Sequence, residues 1–257
     1  MTIGCFSGRV DDYAKTRPSY PRALLAMLEG ACGLGASSVV ADLGSGTGIF
    51  TQLLLESGAT VHAVEPNAEM RAAAEAMLRR EPGFRSVAGS AEATTLPDAS
   101  VDIVTAAQAF HWFDVDRTRG ELRRILRARE GADDLAHVAL VWNDRELDAD
   151  AFHREYEELL VRRCPRYREL QGKADTREKF DALLGEGQWR RVSVANEQLL
   201  DREGLVGRLA SSSYAPRPGE PAHDETFAEL RALFDRRAQE GTVTMRYTTV
   251  AIIGSPA

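Results

Sequence analysis

Residues 40–50 read VADLGSGTGIF: a short apolar run, three glycines at alternate positions (Gly44, Gly46 and Gly48), then the opening of an apolar helical pattern. No other feature of the 257-residue chain restricts its fold so narrowly. A strand that turns into a helix over a glycine loop is the first unit of a parallel βαβ sheet. Ligands of such sheets sit at the carboxyl ends of the strands, where the loop lies. Spacing then separates the cofactors that such a turn serves. A triphosphate loop follows GxxxxGK[ST], and no lysine stands near this one. The dinucleotide fingerprint GxGxxG asks for its third glycine at 49 or 51, positions held by Ile49 and Thr51. What remains is D-L-G-x-G-x-G, in which glycine lets the backbone pass close beneath a ligand that carries no pyrophosphate.

The pattern around the loop continues in alternation. A helix is expected over 21–31 with Pro21 in its opening turn, then a strand over 37–44 and an amphipathic helix over 49–58. A second strand, 60–66, stops at Pro66; the helix after it, 67–80, has Asn67 as N-cap and two arginines in its last turn. Strands follow over 84–90, 101–110 and 135–142, with a helix over 114–129 that starts near Asp114. The arginine-rich run in that helix reads as a solvated face laced with ion pairs. The second half is less regular: helices over 148–164, 174–185, 201–213 and 224–240, and strands over 189–199 and 241–254. Strands alternating with helices imply an α/β fold, a doubly wound sheet with helices on both faces. No internal repeat or linker divides the chain.

Size and composition fit one domain with its own core: 44% of residues are hydrophobic and 28% charged. No apolar run reaches the roughly 18–20 residues that span a membrane. The opening MTIGCFSGRVDDYAK lacks the basic start and apolar segment of a leader, so a cytoplasmic location is expected. A net charge of −7 argues against a nucleic-acid partner. Three scattered cysteines (Cys5, Cys32, Cys164) and five histidines form neither a CxxC pair nor an HExxH site, so no metal is expected.

DLGSGTG, with Asp42, Gly44, Ser45, Gly46 and Gly48, resembles the first motif of class I S-adenosylmethionine-dependent methyltransferases, where this loop borders the amino-acid end of the cofactor. Two further stretches match in order. Glu65 stands 21 residues after Gly44, near the ~20-residue offset of a carboxylate that receives two ribose hydroxyls. It opens EPNAEM, which resembles the family segment that places Pro66 and Met70 by the adenine. GSAEATTLP resembles the turn after strand three, with Ala91 and Glu92 beside the same ring. Gln108, at the end of strand four, joins the cofactor side. Each residue also has a plainer role open to it: Glu65 as a solvated acid at a helix start, Asp42 as a partner for buried backbone N–H groups. The resemblance implies a seven-stranded, mostly parallel Rossmann-like sheet, its last strand antiparallel, with a helical lid from residues 1–22 and 145–210.

A narrower resemblance, to the trans-aconitate methyltransferase-like small-molecule group, rests on FSGRVDDYAKTRPSYP, AAQAFHWFD and VWNDR. It runs through residues 6–145; the Pro-Gly-Gly turn such proteins often carry before strand five is replaced by an acidic loop that keeps only Gly131. It implies methyl transfer to a small molecule, on a carboxylate or hydroxyl oxygen. Tyr13 and Arg17 would fold over the cofactor, and Tyr20, Trp112, Trp142, Asn143, Arg208 and Tyr214 would face the acceptor. His111 after strand four is the candidate general base, with a pocket-wall role as the alternative. A cofactor used for cyclisation or elimination, and a non-catalytic cofactor-binding protein, are the rival readings. The sequence leaves the oligomeric state open.

Overall fold

The computed structural model describes residues 16–128, 137–171 and 177–257. Seven strands form one sheet: β1 (Val39–Leu43), β2 (Thr60–Val64), β3 (Phe84–Val87), β4 (Ile103–Ala107), β5 (Val138–Arg145), β6 (Trp189–Leu200) and β7 (Val243–Gly254). Their order is β3-β2-β1-β4-β5-β7-β6. The pairs among β1 to β5 are parallel, and β7 is antiparallel to both β5 and β6. The expected seven-stranded sheet with an antiparallel last strand is therefore observed. The order reverses at β1 and β4, and the glycine loop lies at that switch point.

The central strands are apolar almost throughout, because helices cover both faces of the sheet. Alternation sorts their side chains into two cores. Ala41, Leu43, Val104, Ala106, Val138, Leu140, Val250 and Ile252 enter one. Val40, Ile103, Ala139, Val141, Ala251 and Ile253 enter the other. Helices α1 (Ala23–Cys32) and α2 (Ile49–Leu55) close the second core with Leu24, Leu28, Phe50 and Leu54. Helix α3 (Ala68–Leu78) follows β2, while α4 (Val115–Ile125) seals the first core with Leu122 and Ile125.

Beyond the reach of β5, the paired strands β6 and β7 run on as a two-stranded wing, from Glu197↔Arg246 to Leu200↔Val243. A third apolar cluster forms there with α5 (Ala151–Arg163), α8 (Arg202–Ala210) and α9 (His223–Arg237), around Tyr156, Leu160, Leu209, Leu230 and Tyr247. Two short helices, α6 (Pro165–Gln171) and α7 (Arg177–Leu184), connect α5 to β6.

The expected cap holds, the Asn67 side chain accepting from the N–H groups of Glu69 and Met70; Asp114, expected only near its helix start, is also an N-cap, accepting from the N–H of Arg117. Several boundaries move. Helix α4 ends at Ile125 rather than 129, because Leu126 turns extended to bridge Val101 and the Arg127 N–H donates to the Val101 carbonyl at 2.9 Å. Helix α3 closes at Leu78, so Arg79 and Arg80 follow its last turn rather than fill it. Helix α6 was not expected; Pro165, which cannot continue a helix as a donor, opens it instead. Tyr13 and Gly131 lie outside the described residues.

Candidate functional site

The glycine loop leaves β1 in a left-handed turn. Gly44, Gly46 and Gly48 have φ of 66°, 57° and 87°. A Cβ on Gly44 would sit 2.7 Å from that of Ala109, so the loop lies against the segment after β4. On Gly48 it would stand 2.8 Å from Leu78 Cδ1, since this glycine starts α2 directly beneath α3. Gly46 is held from across the sheet: its N–H donates to Glu65 Oε2 at 3.0 Å, while Glu65 Oε1 accepts from the Asn67 N–H at 2.8 Å. Glu65 is thus a buried acid that ties the loop after β1 to the start of α3, rather than a solvated one. Burial raises its pKa above the ordinary value, opposed by those two backbone bonds and by Arg71.

Asp42 serves the loop from below. It is fully buried and accepts from the hydroxyls of Thr51 at 2.6 Å and Thr105 at 2.9 Å. The backbone N–H partners expected as the plainer alternative are replaced by these two threonines. Burial pushes the Asp42 pKa up to about 6.

In front of the loop opens a cleft lined by Arg17, Tyr20, Asp42, Gly44, Ser45, Gly46, Gln108, Asn143 and Arg208 among others. Sequence reasoning did not single out Thr47, Ile49, Phe50 or Ala107, which also line it. The hydroxyls of Ser45 and Thr47 are buried and have no hydrogen-bond partner among the described residues. Two orphaned hydroxyls on a backbone that only glycine could shape make a polar cradle. Gln108 takes a φ of 56°, uncommon for a residue with a side chain; its N–H is fixed on Val141 at 2.8 Å and its amide reaches the Asn143 carbonyl at 3.4 Å. Asn143 itself accepts from Thr249 Oγ1 at 2.5 Å and donates to the Ser19 carbonyl at 3.2 Å. Arg17 donates to the Ser211 carbonyl at 2.8 Å, and the Tyr20 ring packs edge-on against Phe50. The start of the described chain is thereby fastened across the cleft.

Other expected residues frame the site without lining the cleft. Met70 is buried with its sulfur beside Gly46, and Ala91 lies in the first core. Pro66 offers its carbonyl to Arg71, and Glu92 accepts from the Asp114 N–H at 3.0 Å. Glu121 organises the stretch that carries Ala91 and Glu92, accepting from the Thr94 N–H at 2.7 Å and pairing with Arg124. Hydrogen bonds from Arg124 hold the Glu121 pKa down to about 2. One acid of the supposed solvated face therefore has a buried structural task. Trp142 points away from the cleft: its neighbour Asn143 faces inward, so the indole turns to the opposite face, between Phe110 and Phe180.

His111 and Trp112 share a short 3-10 turn and pack ring to ring at 4.8 Å. The crowding of the imidazole by protein atoms, then the charges of Lys179 and Arg17, lower its pKa to about 4. The residue keeps an exposed surface. His111 is neutral at physiological pH and a weak base. Tyr214 packs edge-on to Tyr167, beside Arg208 rather than in the cleft.

The described residues contain no group of three or more side chains able to hold a metal, and no helix long and apolar enough to cross a membrane. A family model described as a methyltransferase domain matches residues 41–129. An uncharacterised methyltransferase of Mycobacterium tuberculosis is 31% identical over 250 residues, covering 96% of this chain and 93% of that protein. The malonyl-[acyl-carrier protein] O-methyltransferase of Pectobacterium atrosepticum is 34% identical over 128 residues, about half of each chain (49% and 48%). Among solved structures, a chain from Anaeromyxobacter dehalogenans assigned as a type II methyltransferase superposes with a TM-score of 0.61 at 27% identity, over 93% of this chain and 97% of that one. Kinship along nearly the whole mycobacterial protein, carried on this strand order, makes the chain a member of the class I S-adenosylmethionine-dependent methyltransferase family.

Proposed function

We propose that the cleft binds S-adenosylmethionine and that the chain transfers its methyl group to an oxygen of a small molecule, a carboxylate above all. The observation that carries this reading is the junction of Gly46 and Glu65, where a left-handed glycine turn is tied to a buried carboxylate at the rim of the cleft. Glu65 would receive the ribose diol, with Met70, Ala91 and Glu92 bordering the adenine. Ser45, Thr47 and Arg17 would hold the amino-acid end. The orphaned hydroxyls of Ser45 and Thr47 fit that role, since a charged ammonium or carboxylate would satisfy them.

The bound sulfonium supplies an already activated methyl group. The chain's own residues then have two tasks, alignment of the acceptor and exclusion of water. A carboxylate acceptor is ionised before it arrives: one oxygen forms the new C–O bond as the methyl C–S bond breaks, and no proton moves. That suits a site whose nearest histidine is a weak base, and gives His111 and Trp112 the part of pocket wall. The oxygen acceptor is also that of the Pectobacterium relative, whose name assigns O-methylation of a malonyl group. The N-terminal segment and residues 145–210, together with α9, would form the lid of a single methyltransferase domain, and Tyr20, Asn143 and Arg208 would meet the acceptor.

The test is incubation of the purified protein with methyl-labelled cofactor and a panel of small acids and alcohols, read by mass spectrometry. Labelled ester or ether together with S-adenosylhomocysteine supports the reading. Methylthioadenosine in their place would show cyclisation or elimination, and failure to bind the cofactor a non-catalytic protein; either result ends the proposal.

A further inference from the structure

Strand β6 is one edge of the sheet; among the described residues it pairs with β7 and with no other strand. Its 12 residues, WRRVSVANEQLL, follow β7 position by position from Trp189↔Gly254 to Leu200↔Val243, without a bulge. Edge strands are ordinarily kept from pairing with further chains by shortness, proline, lysine or bulges. The other edge, β3, is only 4 residues long. β6 carries none of these safeguards.

Its backbone faces outward at every second residue. On β7 the Arg246 carbonyl accepts from the Glu146 N–H at 3.0 Å, on the side away from β6. The register partner Glu197 therefore directs its own N–H and C=O out of the sheet edge, as do Trp189, Arg191, Ser193, Ala195 and Leu199. The Glu197 N–H is caught by the Asn196 side chain at 2.9 Å, a local bond that a second chain's carbonyl can replace.

The two faces of the strand differ. Even-numbered side chains turn inward: Val192 packs on the second core, Leu200 joins the third cluster, and Asn196 and Gln198 hold the carbonyls of Ser19 and Thr16 at 2.8 and 2.9 Å. On the odd-numbered face Phe180 of α7 packs against Trp189, but Arg191, Ser193, Ala195 and Glu197 are exposed and Leu199 is 67% exposed. Arg191 stands 3.9 Å from Asp144, and no cation among the described residues pairs with Glu197.

Antiparallel pairing of two copies about a two-fold axis must set odd residues against odd ones, both to match the outward backbone groups and to keep like faces on one side. An axis through Val194 sets Arg191 opposite Glu197 of the second copy, Ser193 opposite Ala195 and Trp189 opposite the exposed Leu199, each pair repeated by symmetry. An axis one residue to either side loses the charge match: Arg191 then meets Ala195 or Leu199. We infer that β6 is a homodimer interface, in which two copies of this chain pair their β6 strands antiparallel about Val194 and join their sheets into one. The inference is independent of what the chain methylates.

The experiment is sedimentation velocity on the full-length protein. Wild type is expected to pass from monomer to dimer between about 1 and 200 μM, the weak end of stable interfaces. Arg191→Glu and Glu197→Arg lie on the exposed face and outside the cleft; each should weaken the dimer about tenfold, since like charges then oppose each other twice. The double variant restores opposite charges and should return to within about threefold of wild type. Ala195→Pro removes an outward N–H that β7 does not use, so the fold is kept, as a thermal melt checks, and the dimer should weaken about tenfold or more. Val194→Cys puts two thiols across the axis with Cα atoms about 4.5 Å apart, close enough for a disulfide, whereas Val192→Cys does not. On mild oxidation only the first should give a covalent dimer. A wild type that stays monomeric throughout overturns the interface, and so does a dimer indifferent to Ala195→Pro, which must use another face. A copurifying polypeptide that Ala195→Pro releases from a monomeric chain would give the edge to a different partner and overturn it as well. A double variant no tighter than the single ones, or Val192→Cys that cross-links as readily as Val194→Cys, overturns the register.

Discussion

Replacing Glu65 by glutamine tests the cofactor site at its keystone. The carboxylate has two oxygens, one taken by Asn67 N–H at 2.8 Å and the other by Gly46 N–H at 3.0 Å. Each oxygen keeps a second lone pair for a diol hydroxyl. Glutamine offers one acceptor oxygen and turns an NH₂ toward a backbone N–H, donor against donor. Loss of charge on the diol bonds and of one loop anchor is worth roughly 2–4 kcal/mol, or about 30- to 1,000-fold in Kd. Calorimetric titration with S-adenosylhomocysteine at neutral pH measures it, and a thermal melt confirms that the variant is folded. A pH series adds a second readout. Burial raises the Glu65 pKa, so the folded protein takes up that proton before a free glutamate would. The protonated form is the one burial favours, so acidification through this titration weakens ligand binding without unfolding the chain on this group's account. Wild-type affinity should therefore begin to fall above the ordinary glutamate pKa of 4.5, whereas Glu65→Gln should be flat through that range. A variant that binds within about threefold of wild type would refute the diol role, because even one charge-assisted hydrogen bond exceeds that factor.

Three further outcomes follow from the same geometry. Gly44→Ala should abolish S-adenosylhomocysteine binding in the same titration, because its Cβ would lie 2.7 Å from Ala109 at a φ of 66°; retained affinity would show that the loop tolerates rearrangement. Glu121→Ala should lower unfolding free energy in denaturant by on the order of 2 kcal/mol at neutral pH, a figure reduced for the partly open Arg124. Since the Glu121 pKa is depressed to about 2, this stabilisation is complete above its ordinary 4.5 and lost as pH falls through about 2, where wild type and variant should converge. His111→Ala should reduce turnover on a carboxylate acceptor by less than about tenfold, and its wild-type rate profile should show no step near pH 6.5, the value of an unperturbed imidazole; a loss of about a hundredfold or more would restore the general-base role.

The loop, acid and cap assigned to the proposed cofactor site were legible as structure in the sequence because each of these parts is local. A glycine loop, an acid at the next strand's end and an asparagine cap two residues later are all written within Asp42–Met70, and the backbone that presents them is fixed by strand and helix periods. Trp142 and Asn143 were both expected to face the acceptor, yet alternation separates them: Asp42 and Asn143 share the face that opens on the cleft, and Trp142 has the wrong parity. The acid–hydroxyl cluster of Asp42, Thr51 and Thr105 was less visible, since Thr105 comes from the neighbouring strand 63 residues on. The basicity of His111 was out of reach, because it depends first on crowding by the folded protein and then on Lys179 and Arg17, which are distant in sequence.

The buried polar groups beside the third cluster fail to announce themselves for a different reason. Arg145, Tyr156, Arg208 and Tyr247 come from four separate elements, and each one alone has a bland explanation: a strand end, the apolar stripe of α5, the last turn of α8, an alternating strand. Only the β5–β7 register and the wing of β6 and β7 bring them together, and only burial turns ordinary surface arginines into an unbalanced charge. A methyl donor is the same molecule throughout such a family, so its site is a contiguous stretch that many members can keep. The acceptor must differ from member to member. Side chains that meet it would have to be projected from distant segments, which no local motif records. That division explains why the sheet and glycine loop point to the reaction class, while the buried arginines beside the third cluster come to light only in the folded chain.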